Sequence, residues 1–428
     1  MVKFLWPLAM ATLVASMHAA AQTPEPQTAL TLRAALALAM QAHPGLAAAR
    51  YETEAQDGLV MQASARPNPT LSFERVGRSS SNAGSAEGDG EKTWQLSQPL
   101  ELGGKRAARV AAAERGRDVA GAALEAQRLE LHADVVTAFY EVLVAQERLR
   151  LAQDGSELAQ RATQAASKRV IAGKVSPVDE TKARLAEANV RLEQSSAASA
   201  LASARHRLAA HWLQPAAAGD GTATAGFERA EGDIGVLPEP PSAAAMASWR
   251  AQSPALMTAR LEVERRKAVS KLELANRAPD LTVSLGSKRM ADPSRSQTVV
   301  GLSLPLPLFD RNQGNVLAAQ RQADKAGAEL AAAAMRLESE LAQSVQELRA
   351  ARLALDMLRN DILPAAQQAS EAARKGFEYG KHNFIDVLDA QRTLLQARAQ
   401  YLSALSDGHR AAAAIERILG HTAPNNEH

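Results

Sequence analysis

The same turn is written twice into this chain, and that duplication limits what the chain can become. Arg169-Val-Ile-Ala-Gly-Lys-Val-Ser-Pro-Val-Asp-Glu180 and Lys375-Gly-Phe-Glu-Tyr-Gly-Lys-His-Asn-Phe-Ile-Asp386 both enter Gly-Lys from a helical pattern and leave through an aspartate. The offset is 207 residues for the glycines (380 − 173) and for the aspartates (386 − 179). A reversal between two helices needs a residue at positive φ, which glycine adopts without a Cβ clash. Pro44 and Pro69 recur as Pro254 and Pro279, each 210 residues on (254 − 44 and 279 − 69). The pattern predicts one long helical hairpin built twice rather than a string of unrelated domains.

The arms of the hairpins are long. Lys105 to Ile171 contains no proline, which permits a single helix of about 100 Å at 1.5 Å per residue. Along it Leu131, Val135, Ala138, Val142, Ala145, Leu149 and Ala152 alternate steps of four and three, the seam of a coiled coil. The second copy repeats the seam with Leu337, Leu341, Ser344, Leu348, Ala351, Leu355 and Leu358, and Pro364 predicts a break or kink near Asp361. Only 4% of the chain is aromatic, as expected of packed helices rather than a large mixed core. The expected organisation is a signal peptide over 1–21, a first repeat over 22–215, a linker over 216–241, a second repeat over 242–420 and a disordered tail over 421–428.

Between the short and the long helices of each copy the period changes to two. Thr70-Leu-Ser-Phe-Glu-Arg-Val76 places Leu71 and Phe73 on one face, although Val76 breaks the alternation, and Thr93 to Leu100 does the same with Trp94 and Leu96. A polar Gly/Ser-rich tip joins them. Leu281–Leu285 and Thr298–Leu304 form the second pair. The hairpins turn from strand to long helix at Pro99–Lys105 and at Pro305–Gly314.

Several classes are excluded. A net charge of +2 with interspersed signs and no basic run carries no nucleic-acid footprint. The absence of cysteine removes thiolate chemistry and cysteine metal ligands. The histidines are scattered, there is no HExxH or GxSxG, and Gly103-Gly-Lys105 lacks the rest of a phosphate loop. Nothing suggests an enzyme or a bound cofactor. Past the signal peptide no stretch is long and apolar enough for a membrane-spanning helix, so insertion has to use strands. Four strands leave two open edges, which lipid does not tolerate, and chains must share a barrel: two would supply eight strands, three would supply twelve. Helices of about 100 Å then project into water.

Leu30-Thr-Leu-Arg-Ala-Ala-Leu-Ala-Leu-Ala with His43-Pro44, the two strand pairs, and Gly380 with Phe384-Ile-Asp-Val-Leu-Asp-Ala-Gln391 resemble the TolC-like outer-membrane efflux proteins over nearly the whole mature chain. Gln98-Pro-Leu-Glu-Leu-Gly-Gly-Lys-Arg-Ala-Ala-Arg109 is similar to the CzcC-type subunits of cobalt–zinc–cadmium efflux systems. The resemblance implies a mainly α fold with a small β part: duplicated long helical hairpins plus four strands per chain. In a homotrimer these form an α-helical tunnel and a shared twelve-stranded transmembrane β-barrel in outer-membrane lipid. It implies as partners a periplasmic adaptor (membrane fusion) protein and an inner-membrane resistance-nodulation-division pump driven by protons, with heavy-metal cations as cargo. Drugs or a secreted polypeptide are the alternative cargo on the same fold. A soluble periplasmic coiled-coil scaffold is the alternative of a different class. Many relatives are acylated at an N-terminal cysteine, which this chain lacks.

The resemblance also places Asp386 and Asp389 at the periplasmic aperture, with His382 where some relatives carry a basic gating residue. Three residues apart on a helix, the aspartates share a face. Three copies would form a cation-attracting ring, or each would simply favour a helix N-terminus. Asp179 invites the same two readings. Gly173, Lys174, Gly380 and Lys381 mark the hairpin tips, as turn formers or as the adaptor's contact.

Overall fold

The computed structural model describes residues 27–76, 91–173, 175–213, 226–244, 246–247, 253–290 and 296–420. The expected signal peptide, the first strand-pair tip and most of the second, Lys174, the start of the expected linker and the tail 421–428 lie outside the described residues.

The first copy runs β1 (Gln27–Thr31), α1 (Leu32–Ala42), α2 (Pro44–Ser64), β2 (Thr70–Val76), β3 (Glu91–Leu100), α3 (Lys105–Ile171) and α4 (Pro177–Ala209), and is followed by β4 (Phe227–Glu231). The second runs α5 (Pro254–Ala275), β5 (Leu281–Arg289), β6 (Ser296–Ser303), α6 (Gln313–Met357), a π-helical turn (Leu358–Ile362), α7 (Leu363–Glu378) and α8 (Phe384–Leu419). The chain is mainly helical with a small β part. No described helix is long and apolar enough to cross a membrane.

Each copy has its own core on the predicted seam. Leu131, Val135, Phe139 and Val142 of α3 pack with Ala35 and Ala39 of α1, Leu46 of α2, and Leu201 and Leu208 of α4. In the second copy Leu337, Leu341, Val345 and Leu348 of α6 pack with Leu256 of α5 and Ile415, Ile418 and Leu419 of α8. A smaller cluster of Val144, Leu355, Leu402 and Leu405 joins the copies. The disturbance expected near Asp361 is a π-helical turn, Leu358–Ile362, between two α-helical segments. Pro364 has no N–H to give the Asn360 carbonyl, and the chain widens just before it, the Leu363 amide donating to the Leu358 carbonyl five residues back.

The four long strands form one antiparallel sheet in the order β2-β3-β5-β6. Leu71 lies opposite Leu96, Leu96 opposite Leu285 and Leu285 opposite Val300, one apolar row across the sheet. The Phe73 and Trp94 rings lie beside it with centroids 4.5 Å apart and planes tilted by 40°. Ser72, Gln95 and Gly286 occupy the other face, and all the apolar residues named are exposed. Pairing reaches Val76, opposite Glu91, so the broken alternation does not end β2; the backbone of β3 sets its register. Neither β2 nor β6 pairs with a further described strand.

A second sheet was not legible in the sequence. β1 and β4 pair in parallel, Gln27 with Phe227 and Thr31 with Glu231, so both the extended lead-in and part of the linker belong to the folded body. The Gln146 amide of α3 grips β4, accepting from the Ala230 amide at 2.8 Å and donating to its carbonyl at 3.0 Å. Beyond β4 the strap continues across the helices. His409 of α8 lies against the Tyr140 ring at 3.6 Å and reaches the Ile234 carbonyl with Nε2 at 3.0 Å. Arg352 donates to the Leu237 and Pro238 carbonyls. Burial holds the His409 imidazole below the usual histidine range, against the opposing pull of the Ile234 carbonyl and Asp233.

Candidate functional site at the hairpin tips

Both hairpins end on a glycine in the left-handed region, Gly173 at φ 64° and Gly380 at φ 72°. At the second tip the Gly380 amide donates to the Phe377 carbonyl at 3.0 Å and the Lys381 amide to the Gly376 carbonyl at 2.7 Å, the paired bonds of a Schellman motif. At the first tip the Gly173 amide donates to the Val170 carbonyl at 2.9 Å; Lys174 lies outside the described residues. The next helices are capped differently. Ser176 accepts from the Val178 amide, ahead of Pro177 at the first helical position. Asn383 and Asp386 form a capping box: the Asn383 side chain accepts from the Asp386 amide, and the Asp386 carboxylate accepts from the Asn383 amide, both at 3.2 Å.

The sequence's candidate residues therefore separate. Asp386 is committed to the helix start and lies 3.8 Å from Nδ1 of His382. Asp389, one turn along α8, is exposed, and its carboxylate has no hydrogen bond or ion pair among the described residues. Lys381 is exposed on the turn. Asp179 stands with Glu180 in the first turn of α4, and the Glu180 carboxylate accepts from Arg184.

Three contributors were missed. Gly376 lets the His382 ring lie on the helix: a Cβ there would come within 1.9 Å of the ring's Cδ2. Arg169 ties the tips together, donating to the Phe377 carbonyl at 3.0 Å with its guanidinium 3.8 Å from the centre of the Phe377 ring. Asn383 closes the box. Its spacing to Asp386 was visible as a capping pattern; the Arg169–Phe377 contact, spanning both copies, left no local signal. Below it Ala166 and Ala183 are buried against Phe377 and Leu388, so small residues let the four tip helices approach. Among the described residues no group of three or more His, Asp or Glu is placed to hold a metal ion.

The chain matches the family model described as outer membrane efflux protein over residues 35–212 and 246–421. It is 44% identical over 393 residues, 91% of this chain and 90% of the relative, to the cobalt-zinc-cadmium resistance protein CzcC of Cupriavidus metallidurans. The nickel and cobalt resistance protein CnrC of the same organism is 29% identical over 332 residues, 77% of this chain and 74% of that one. Among solved structures, the outer membrane protein VceC of Vibrio cholerae superposes with a TM-score of 0.74 over 91% of this chain and 96% of that one, at 20% identity. That last likeness is one of fold.

Proposed function

The chain belongs to the outer membrane efflux protein family, and on that premise we propose that it is the outer-membrane channel subunit of a tripartite, proton-driven efflux system, a passive duct through which heavy-metal cations of the cobalt, zinc and cadmium type leave the cell. The observation that carries the duct is the β2-β3-β5-β6 sheet, apolar on one face, polar on the other and open at both edges. In lipid every backbone polar group needs a partner, so such a sheet is complete only in a closed barrel. Three chains supply twelve strands, a barrel wide enough to begin enclosing a lumen. α3, at 67 residues, is about 100 Å long and extends far beyond the bilayer into the periplasm.

At the far end of the tunnel, three copies of Asp386 and Asp389 line the aperture, with His382 beside them. Asp389, whose carboxylate has no partner among the described residues, carries the larger share of the cation attraction, because Asp386 also serves the helix start. Gly173, Lys174, Gly380 and Lys381 form the surface offered to a periplasmic adaptor, beside Ile171 and Tyr379, which are 84% and 79% exposed. The adaptor links the duct to an inner-membrane pump of the resistance-nodulation-division class, and that pump supplies the energy. Outer-membrane location sets aside the soluble scaffold. The metal cargo follows from the resistance in the relatives' names.

Two measurements test this reading. Light scattering of the detergent-solubilised protein, corrected for bound detergent, gives a trimer; a monomer or dimer refutes the shared barrel. Deletion of the gene sensitises cells to cobalt, zinc and cadmium. Sensitivity to drugs instead, or failed secretion of a polypeptide, transfers the duct to the other cargo.

A further inference from the structure

The strands leave for the long helices through two turns at the same level, and these turns differ. In the first copy the turn is held: Lys105 reaches Asp280 at 2.7 Å, and Arg109 pairs with Glu101 while donating to the Ala63 and Ala65 carbonyls. In the second copy the run Leu304-Pro-Leu-Pro-Leu-Phe309 lies in the open, with Leu306 at 71%, Leu308 at 65% and Phe309 at 92% exposure. Beside the entry to β2 is a groove of about 400 Å³ lined by Leu59, Ala63, Ala65, Arg66 and Pro67, with Gln62 and the Glu101–Arg109 pair along its polar side. Arg66 has no hydrogen bond or ion pair among the described residues, and Asp310, directly after Phe309, accepts only from the Asn312 amide among them.

Loop and groove cannot meet within one chain, because β6 and β2 are opposite edges of a four-stranded sheet, about 15 Å apart at ~4.8 Å per strand. Closure between chains brings them together. Ser303 pairs with Thr282, Val283 with Gln98, and Ser97 with Thr70, so the end of β6 and the start of β2 lie at the same end of the sheet. The two edge strands run in opposite directions, so joining β6 of one protomer to β2 of the next is antiparallel, like every other pair in the sheet. The chain leaving β6 then emerges beside the neighbour's residues 64–69.

We infer that Leu306–Phe309 of each protomer docks into the Leu59–Pro67 groove of the next, with Phe309 in the groove and Asp310 against Arg66, so that an apolar plug and an ion pair lock the base of the barrel. The inference rests on the trimeric reading above and names its interface. The exposed apolar side chains match the apolar part of the groove, Leu59, Ala63, Ala65 and Pro67, and Asp310, which has no ion pair among the described residues, matches Arg66, which has none among them either.

The chain has no cysteine, so introduced thiols report alone. The test is oxidative cross-linking of the detergent-solubilised full chain carrying Phe309→Cys with Leu59→Cys, and separately Asp310→Cys with Arg66→Cys. Native mass is measured on the same samples and on the unsubstituted protein. The expected result is that most of the protein runs as covalent dimer and trimer on a non-reducing denaturing gel, while single variants run as monomer. An unsubstituted trimer whose cysteine pairs both stay uncross-linked overturns the docking and leaves the trimer standing. An unsubstituted monomer overturns both. Phe309→Cys labelled with a fluorophore and quenched by lipid brominated in its acyl chains would make the bilayer the occupant, and that too overturns the inference.

Discussion

The two descending arms are nearly equal in length and unequal in construction. α3 runs 67 residues as uninterrupted α-helix, whereas its counterpart is divided into α6, the π-helical turn and α7, of 45, 5 and 16 residues. The difference is one residue. Pro364 removes an amide from the ladder, and the turn before it absorbs the loss by widening instead of breaking. The first hairpin is therefore a continuous rod. The second hangs its tip, with the capping box and both aspartates, below a π-helical turn. The duplicated architecture thus keeps one arm a continuous α-helix and interrupts the other with a widened turn.

Moving the proline across the repeat breaks the comparison with the largest expected effect. Glu157 stands in α3 where Pro364 stands in the second copy (364 − 207), exposed and paired with Arg161. With no widened turn there, Glu157→Pro should destabilise the first hairpin by about 3 kcal/mol or more, read as a lowered thermal midpoint; an unchanged midpoint would show that α3 tolerates what α6 had to accommodate.

The strap sharpens the contrast next. His409 is buried between Tyr140 and Ile234, while its first-copy counterpart, Ala202, is exposed. Because burial lowers the folded-state pKa, the unfolded chain binds more protons as pH falls below the usual histidine value. Stability is full above that value and declines on the acid side, by at most about 1.4 kcal/mol per pH unit for one group. His132 and His211, also lowered by burial, act in the same direction. His409→Phe should flatten the slope of thermal midpoint against pH between about 6.5 and 5, and an unchanged slope would assign it to the other two.

At the tips, Asn383→Ala removes a reciprocal cap and Ser176→Ala a single bond. The first should cost about 1 kcal/mol and the second less, measured as faster amide exchange in the first turn of α8 than of α4. Equal acceleration would mean that the box adds nothing. The smallest effect concerns conduction. Asp386→Ala with Asp389→Ala should lower single-channel cation conductance about twofold, roughly 0.4 kcal/mol in barrier, whereas Asp179→Ala should not. Unchanged conductance and cation preference in the double variant would leave the aspartates with the helix start alone.

The legible parts of this fold are those written in local periods. An absence of proline and a seam of steps of three and four mark α3 from Lys105 to Ile171, and alternation marks the four long strands, because one face of each element has a uniform environment. The positive-φ glycines at 173 and 380 are readable because a reversal between two helices needs a residue that adopts that conformation. β1 and β4 are not, since five-residue strands carry little periodicity and their partners are far apart in sequence. Pro364 marks where the second arm is disturbed, near Asp361, but the sequence does not reveal that the disturbance is a widened turn, Leu358–Ile362. Of the tip residues, Asp386 is visible as an acid at a helix start, but its carboxylate's engagement by Asn383 is a matter of geometry, and the contact of Arg169 with Phe377 joins residues 208 positions apart.

The β1–β4 sheet has a consequence in time. Gln27 finds its partner at Phe227, 200 residues later (227 − 27). A chain delivered amino end first must carry its opening strand unpaired until almost half its length has followed, so the first copy cannot finish folding until the segment that follows it, β4, has arrived. Contacts of such separation make assembly slow and leave a strand edge exposed meanwhile. For a protein that reaches its membrane by crossing an aqueous compartment, that interval is when an escort in the compartment has most to hold.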